Sequence, residues 1–317
     1  MISPSWLAAP GTDEALVASG ERVVAGGQSF PFKEVAGSRY VDFTAGGTLT
    51  EMARTQQRLY DSSESQYDRQ LRENPSFMAE LVARYMGGRV KNKDAVLRRA
   101  LARLPLGPGS KVVEVGCNDG RFLNALCAIH GCEGVGFDVS SVAVERALLV
   151  RPAELRTSFH VADAGALPLG GGSVDAVIAL DVLEHLGHDG CRGFLSETGR
   201  VLRPGGRVLI YVVSRNDRYT LHETFRTISG GRLGVDAGEG HVYENFLLPD
   251  EWRAMVEEAG LSSRSVEAYH GFWTLYFEEH FGNRLPELGF RLMRWLDYPL
   301  TRSERGNGFL ALAEKRA

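Results

Sequence analysis

Three acidic residues in the middle of this 317-residue chain lie at or just after apolar stretches, and a glycine turn lies among them. They are Glu114, Asp138 and Asp163. An acid about 20 residues past such a turn can accept hydrogen bonds from both hydroxyls of a ribose, and Asp138 lies at about that distance from Gly116. A lone aspartate is more often a surface residue or a helix cap. Three acids at corresponding positions around one turn therefore predict a nucleoside site.

The turn itself lies between a short apolar strand, 111–115, and a helix, Arg121–His130. The strand is rich in β-branched residues, which is typical of a strand buried on both faces. Gly116 and Gly120 let the backbone approach a ligand closely, and the helix that follows offers free N–H groups. The pattern predicts a nucleotide-type cofactor site, and the alternative is an ordinary strand–helix turn with incidental glycines.

The spacing of the turn disfavours a dinucleotide. The dinucleotide fingerprint requires Gly-x-Gly-x-x-Gly, and Asn118 stands where its middle glycine would be. Glu114 would add a negative charge beside the turn, which suits an amino-bearing ligand better than a diphosphate.

The turn resembles the first motif of the class I S-adenosylmethionine (SAM) methyltransferases, although the family usually has glycine where Asn118 stands. A Leu-Arg-Pro-Gly-Gly turn at 202–206 is also common in the family, and the resemblance is close over 105–215. It implies SAM as the cofactor, with Asp138 at the ribose hydroxyls and Asp163 and Ala164 at the adenine. The implied cofactor-binding residues are Glu114, Gly116, Cys117, Asn118, Gly120, Asp138, Val139, Asp163, Ala164 and Asp181.

The resemblance and the strand pattern together predict an α/β fold, a Rossmann-like, mostly parallel sheet of seven strands. The predicted strands are 111–115, 134–138, 159–162, 173–180, 207–213, 265–269 and 308–314, and the predicted helices include 121–130, 142–150 and 249–260. The predicted divisions of the chain are a β-hairpin appendage at 1–50, a helical cap at 51–104, and the SAM-binding domain at 105–317, with insertions at 215–245 and 272–305.

The catalytic candidates lie outside the turn. In many members of the family a tyrosine from a segment like 60–68 folds over the methionine end of SAM, and we expect Tyr67 to do so here, with Tyr60 second. Simple aromatic packing is the alternative. His241 is the candidate general base, because histidine titrates near neutral pH, and His222 is a weaker candidate.

A metal site is the next alternative. Asp181, Glu184 and His185 resemble the cluster of metal-dependent O-methyltransferases, and two carboxylates with an imidazole suit a divalent ion. Those families have glutamate where this chain has Asp181, and the same residues also begin a helix in metal-free members. We therefore predict no metal ligands and keep metal-assisted O-methyl transfer as an alternative.

Composition limits the partners. The net charge is −4, no long Lys/Arg run is present, and none of the four cysteines forms Cys-x-x-Cys. The first residues lack the pattern of a signal peptide, and no apolar run is long enough to span a bilayer. We expect a cytoplasmic protein with a small-molecule substrate, no nucleic-acid or membrane partner, and a possible homodimer. The aromatic residues of 272–298 would pack in a helical core, or else line a pocket or dimer face.

These observations predict methyl transfer from SAM to an oxygen, nitrogen or carbon of a small molecule, in bacterial secondary or sugar metabolism. One alternative is an enzyme of the same fold that cyclises or cleaves SAM itself. A non-catalytic partner protein is disfavoured by the intact acids at 114, 138 and 163.

Overall fold

The computed structural model describes eleven strands, which form a seven-stranded sheet and a four-stranded N-terminal sheet, together with six α-helices and a short 3₁₀ helix. The described residues are 6–25, 27–45, 49–62, 101–215, 246–269, 271, 273–274, 287–302, 304–306 and 308–316. No helix among them is long and apolar enough to cross a bilayer.

Strands and helices alternate through the middle of the chain, as the sequence predicts. The strands are β1 (Val17–Ser19), β2 (Arg22–Ala25), β3 (Gln28–Val35), β4 (Ser38–Val41), β5 (Lys111–Val115), β6 (Glu133–Asp138), β7 (Thr157–Val161), β8 (Val174–Leu180), β9 (Leu202–Val213), β10 (Leu261–Tyr269) and β11 (Gly308–Lys315). The helices are α1 (Glu51–Ser62), α2 (Arg121–His130), α3 (Ser141–Val150), α4 (Gly187–Val201), α5 (Pro249–Glu258) and α6 (Glu287–Arg302), with a short 3₁₀ helix at Leu183–His185.

The large sheet has seven strands in the order β10-β11-β9-β8-β5-β6-β7. β11 is antiparallel to both of its neighbours, and the pairs among β9, β8, β5, β6 and β7 are parallel. The predicted α/β class and the mostly parallel seven-stranded sheet are confirmed. Two strands begin earlier than predicted. β9 begins at Leu202 rather than at 207, so the predicted turn at 202–206 lies within a strand whose first residue pairs with Val174. β10 begins at Leu261 rather than at 265, and its pairing with β11 shifts register between Ser263 and Ser265.

The central strands of the large sheet lie in the core. Four of the five residues of β5 are buried, as are five of the seven residues of β8, as expected for strands covered on both faces. Helix α2 has the predicted bounds and ends at Gly131, which adopts φ 68° and donates its N–H to the carbonyl of Cys127. Ser140 caps α3, since its hydroxyl oxygen accepts the Ala143 N–H at 3.1 Å.

The N-terminal strands form a second, four-stranded antiparallel sheet that contains the predicted hairpin, β2 paired with β3. Its last strand meets the β7 edge of the large sheet: the Phe43 N–H donates to the Val161 carbonyl at 2.9 Å. The Val41 N–H donates to Nδ1 of His160 at 3.1 Å. Val41 and Phe43 are buried in the same apolar cluster as the large sheet, so the small sheet shares its core.

His160 makes this junction sensitive to pH. Burial lowers its pKa from 6.5 to about 3, because a charged imidazole cannot be hydrated there and a protonated Nδ1 could not accept the Val41 N–H. The unfolded chain therefore binds the proton first as pH falls below 6.5. The stability contributed by neutral His160 is complete above 6.5 and is lost as pH falls toward 3.

We expect the free energy of unfolding to fall between pH 6.5 and pH 5, with His160 contributing up to about 1.4 kcal/mol per pH unit. Urea unfolding at several pH values measures this slope. In His160→Asn, whose side-chain oxygen can still accept the Val41 N–H, the slope should be shallower. Equal slopes in the two proteins would contradict the role given to His160.

Candidate functional site

The predicted site residues meet at one edge of the large sheet. Because β8, β5, β6 and β7 are parallel neighbours, their carboxyl ends lie side by side. Asp181 follows β8, the glycine turn follows β5, Asp138 ends β6, and Asp163 follows β7. Polar groups therefore lie along this edge on both sides of the glycine turn.

The turn after β5 is held by short backbone contacts. The N–H groups of Gly116 and Cys117 both donate to the Phe137 carbonyl, at 2.8 and 3.0 Å. Gly116 and Gly120 adopt φ 70° and 68°, the left-handed region that favours glycine. A Cβ at Gly120 would also overlap the Phe159 ring. Both the conformation and the close packing therefore require glycine there.

Asn118, which departs from the motif, keeps the conformation of the glycine that it replaces. Its φ is 46°, and asparagine is among the non-glycine residues that tolerate this region best. Its N–H donates to a carboxylate oxygen of Asp138 at 2.9 Å. The substitution therefore preserves the backbone path of the turn.

Asp138 joins the two turns that flank the site. Its second oxygen accepts the Ser140 N–H at 2.9 Å, so one carboxylate fixes the turn after β5 and the turn after β6. Desolvation by burial raises the pKa of Asp138, against the lowering effect of the N–H groups of Ser140, Asn118 and Val139. The side chain remains half-buried, and a carboxylate has lone pairs beyond these bonds.

The environment of the Glu114 carboxyl differs from the one predicted from the sequence. Its residue is only 4% exposed, and burial, with Asp119 nearby, raises the pKa of its carboxyl well above the ordinary value. The group therefore favours the neutral form and does not present an exposed negative charge beside the turn. One of its oxygens, Oε2, is buried and has no hydrogen-bond partner among the described residues.

Three further site positions lie nearby. Asp163 is half-buried, and one of its oxygens accepts the Gly165 N–H at 2.7 Å; Ala164 beside it is also half-buried. Asp181 is exposed, with φ 55°, and its N–H donates to the Tyr211 carbonyl at 2.9 Å. Neither acid is buried in the core.

Helix α1 lies against the strand ends on both sides of β5. Next to β6, the amide nitrogen of Gln57 donates to the Val139 carbonyl at 2.9 Å, and the Ser140 hydroxyl donates to Asp61 at 2.5 Å. Next to β8, the Tyr60 hydroxyl lies 3.3 Å from Nε2 of His185. The two rings meet edge to face, with centroids 6.0 Å apart. Since β5 lies between these strands, α1 covers its turn.

Tyr60, the second tyrosine candidate from the sequence, lies in this helix, whereas Gln57, Asp61 and the tyrosine–histidine contact were not predicted. The spacing of 57, 60 and 61 puts their side chains on one face of a helix, which was the available signal. Tyr67, the first choice, lies outside the described residues, as do His241 and His222.

The part of the chain that the structure describes contains no cluster of side chains that would support the metal alternative. No group of three or more His, Cys, Asp or Glu side chains there is arranged to hold an ion. Glu184 and His185 are buried in the 3₁₀ helix, whereas Asp181 is exposed.

Comparison with known proteins agrees with this arrangement of strands and turn. A family model described as a methyltransferase domain matches residues 82–266, more than half of the chain. The chain belongs to the class I SAM-dependent methyltransferase family. A geranyl diphosphate C-methyltransferase from Streptomyces coelicolor A3(2) has the same fold, with TM-score 0.57 and 14% identity, over 85% of this methyltransferase-family chain and 100% of that chain.

The named relatives differ in what they methylate. A 27-O-demethylrifamycin SV methyltransferase of Amycolatopsis mediterranei is 29% identical over 176 residues, 53% of this chain and 60% of its own. A tRNA (carboxymethyluridine(34)-5-O)-methyltransferase of Mus musculus is 33% identical over 167 residues, 50% of this chain and 24% of its own. This family member spans only 45% to 60% of the first relatives that it matches.

Two substitutions of Asn118 test its conformational role. Asn118→Ala should lower the free energy of unfolding by about 1 kcal/mol, because alanine pays the steric cost of positive φ. Asn118→Gly should stay within about 0.5 kcal/mol of the wild type. Urea unfolding of both variants measures the difference. If alanine were tolerated as well as glycine, the left-handed turn would not be the constraint on this position.

Proposed function

We propose that the protein transfers a methyl group from SAM to an oxygen, nitrogen or carbon of a small-molecule acceptor. The single observation that carries the proposal is the left-handed turn after β5, tied to Asp138 and covered by α1. Family membership supports the choice of cofactor. The predicted setting in bacterial secondary or sugar metabolism stays a prediction.

The described residues fit the cofactor. SAM supplies an electrophilic methyl group when bound. The buried Oε2 of Glu114, which has no hydrogen-bond partner among the described residues, is an acceptor for an amino group or an ordered water at the turn. The turn has no side chain at Gly116 or Gly120 to keep a ligand away, and the N-terminus of α2 follows it.

In this proposal the acids contact different parts of the cofactor. Asp138 accepts the ribose hydroxyls, with Val139 beside it, and Asp163 with Ala164 receives the adenine. Cys117 and Asn118 line the turn, and Asp181 lies at the methionine side because it follows β8. Their support is the order of the strand ends, which places Asp181 and Asp163 on opposite sides of the β5 turn.

Tyr60 and His185 are the candidate acceptor-site residues. Their contact lies beyond the end of β8 and joins α1 to the 3₁₀ helix. An imidazole there can accept the proton that an acceptor hydroxyl or amine loses, and the tyrosine ring can exclude water. Most of the acceleration would come from alignment, which can supply about 7–11 kcal/mol. Tyr67 and His241 remain predicted catalytic residues.

Methyl-labelled SAM tests the reaction. The protein is incubated with the label and, separately, with a metabolite extract free of macromolecules and with purified RNA. We expect label in the metabolite fraction together with S-adenosylhomocysteine. Label confined to RNA would contradict the small-molecule acceptor. Methylthioadenosine formed without an acceptor would favour the alternative enzyme that cleaves SAM.

Asp138→Ala should weaken SAM binding by roughly tenfold or more, because each hydrogen bond to a charged group contributes about 1.5–3 kcal/mol. Isothermal calorimetry measures the affinity. Asp189→Ala is the matched control, since Asp189 is exposed on α4. A thermal melt checks that the Asp138 variant, which also loses the contact with Asn118, is folded. Unchanged affinity would refute the ribose assignment.

A further inference from the structure

The outer side of α6 is apolar. Trp295 is 70% exposed, and Leu292, Leu296 and Tyr298 are exposed beside it. The spacing of 292, 295 and 296 puts these side chains on one face. The prediction that the aromatic residues of this region pack in a core is therefore wrong for Trp295 and Tyr298. A surface helix usually directs its apolar face inward, so the orientation of α6 requires an explanation.

A buried aspartate fixes this orientation. Asp297 is fully buried and accepts the N–H groups of Trp273 and Thr274, at 2.8 and 2.7 Å, and the Thr274 hydroxyl at 2.6 Å. Met293, one turn earlier, is buried on the same side. Because three donors satisfy the carboxylate, the helix is held with its apolar face outward.

Among the described side chains of α6, the exposed charged residues are basic. Arg291 and Arg302 are exposed, and the Arg302 guanidinium lies 6.0 Å from the centre of the Tyr298 ring. Asp297 is the only acidic residue of the helix after its first position, and it points inward. The chain as a whole carries a net charge of −4, so the basic character is local to this surface.

The connection that contains α6 begins at the carboxyl edge of the large sheet. It connects β10 to β11, and Tyr269 at the end of β10 pairs with Gly308 at the start of β11. β10 and β9 are both antiparallel to β11, so β10 runs in the direction of the parallel strands. The helix therefore leaves from the same edge that carries the glycine turn.

We propose that the outer face of α6 binds the surface of an anionic phospholipid bilayer. Tryptophan and leucine would enter the boundary between headgroups and acyl chains, and the arginines would contact lipid phosphates. Charge complementarity favours this occupant, because the same face combines large apolar side chains with arginine and exposes no acidic side chain among its described residues. The proposal opposes the sequence prediction of no membrane partner, and it concerns peripheral binding.

Co-sedimentation of the full chain with vesicles tests the proposal. One set of vesicles is phosphatidylcholine alone, and the other is equimolar phosphatidylcholine and phosphatidylglycerol. We expect binding to the anionic vesicles, weakened by added salt. Trp295→Ser and Leu292→Ser should each reduce it by roughly tenfold. Leu149→Ser, at a leucine 60% exposed on α3, is the matched control and should bind like the wild type.

Several results would overturn the proposal. Equal binding to both kinds of vesicle would remove the role of the arginines, and retention of binding in both α6 variants would remove the role of the apolar face. A dimer, detected by light scattering and dissociated by Trp295→Ser, would assign the face to a second copy of the chain. A monomer that binds neither kind of vesicle would also contradict it.

Discussion

The Asp138 carboxylate ties together two backbone turns that belong to different strands. One oxygen receives the Asn118 N–H and the other receives the Ser140 N–H. The first turn lies between β5 and α2, and the second turn begins α3, whose cap is Ser140 itself. Because Ser140 also bonds to Asp61, the same junction locates α1. The candidate site therefore depends on one side chain that positions a turn, a helix start and a covering helix.

This junction depends in turn on the parallel sheet. Parallel pairing of β8, β5 and β6 brings their carboxyl ends to one edge. Close packing against Phe159 leaves room only for glycine at position 120 of the turn. The small N-terminal sheet supports the same edge from outside, through His160 and Val161 at the end of β7. Conformation, packing and hydrogen bonding thus favour a single path for the chain at the site.

Much of this arrangement could be predicted from the sequence, because it follows from local patterns. The bounds of β5 and α2 were predicted correctly. Tertiary contacts account for the differences. The charge of Glu114 depends on burial, and the contact between Tyr60 and His185 depends on where α1 packs. The outward face of α6 depends on Asp297 and its donors, which no apolar periodicity indicates.

The place where SAM binds, at the carboxyl edge of the sheet beneath α1, can be tested by amide hydrogen exchange of the full chain with and without S-adenosylhomocysteine. Protection from exchange reports where a ligand orders the backbone. We expect slower exchange in three segments, the turn at 116–120, the end of β6 and helix α1. Protection confined to β10 and β11, or no protection at saturating ligand, would contradict it.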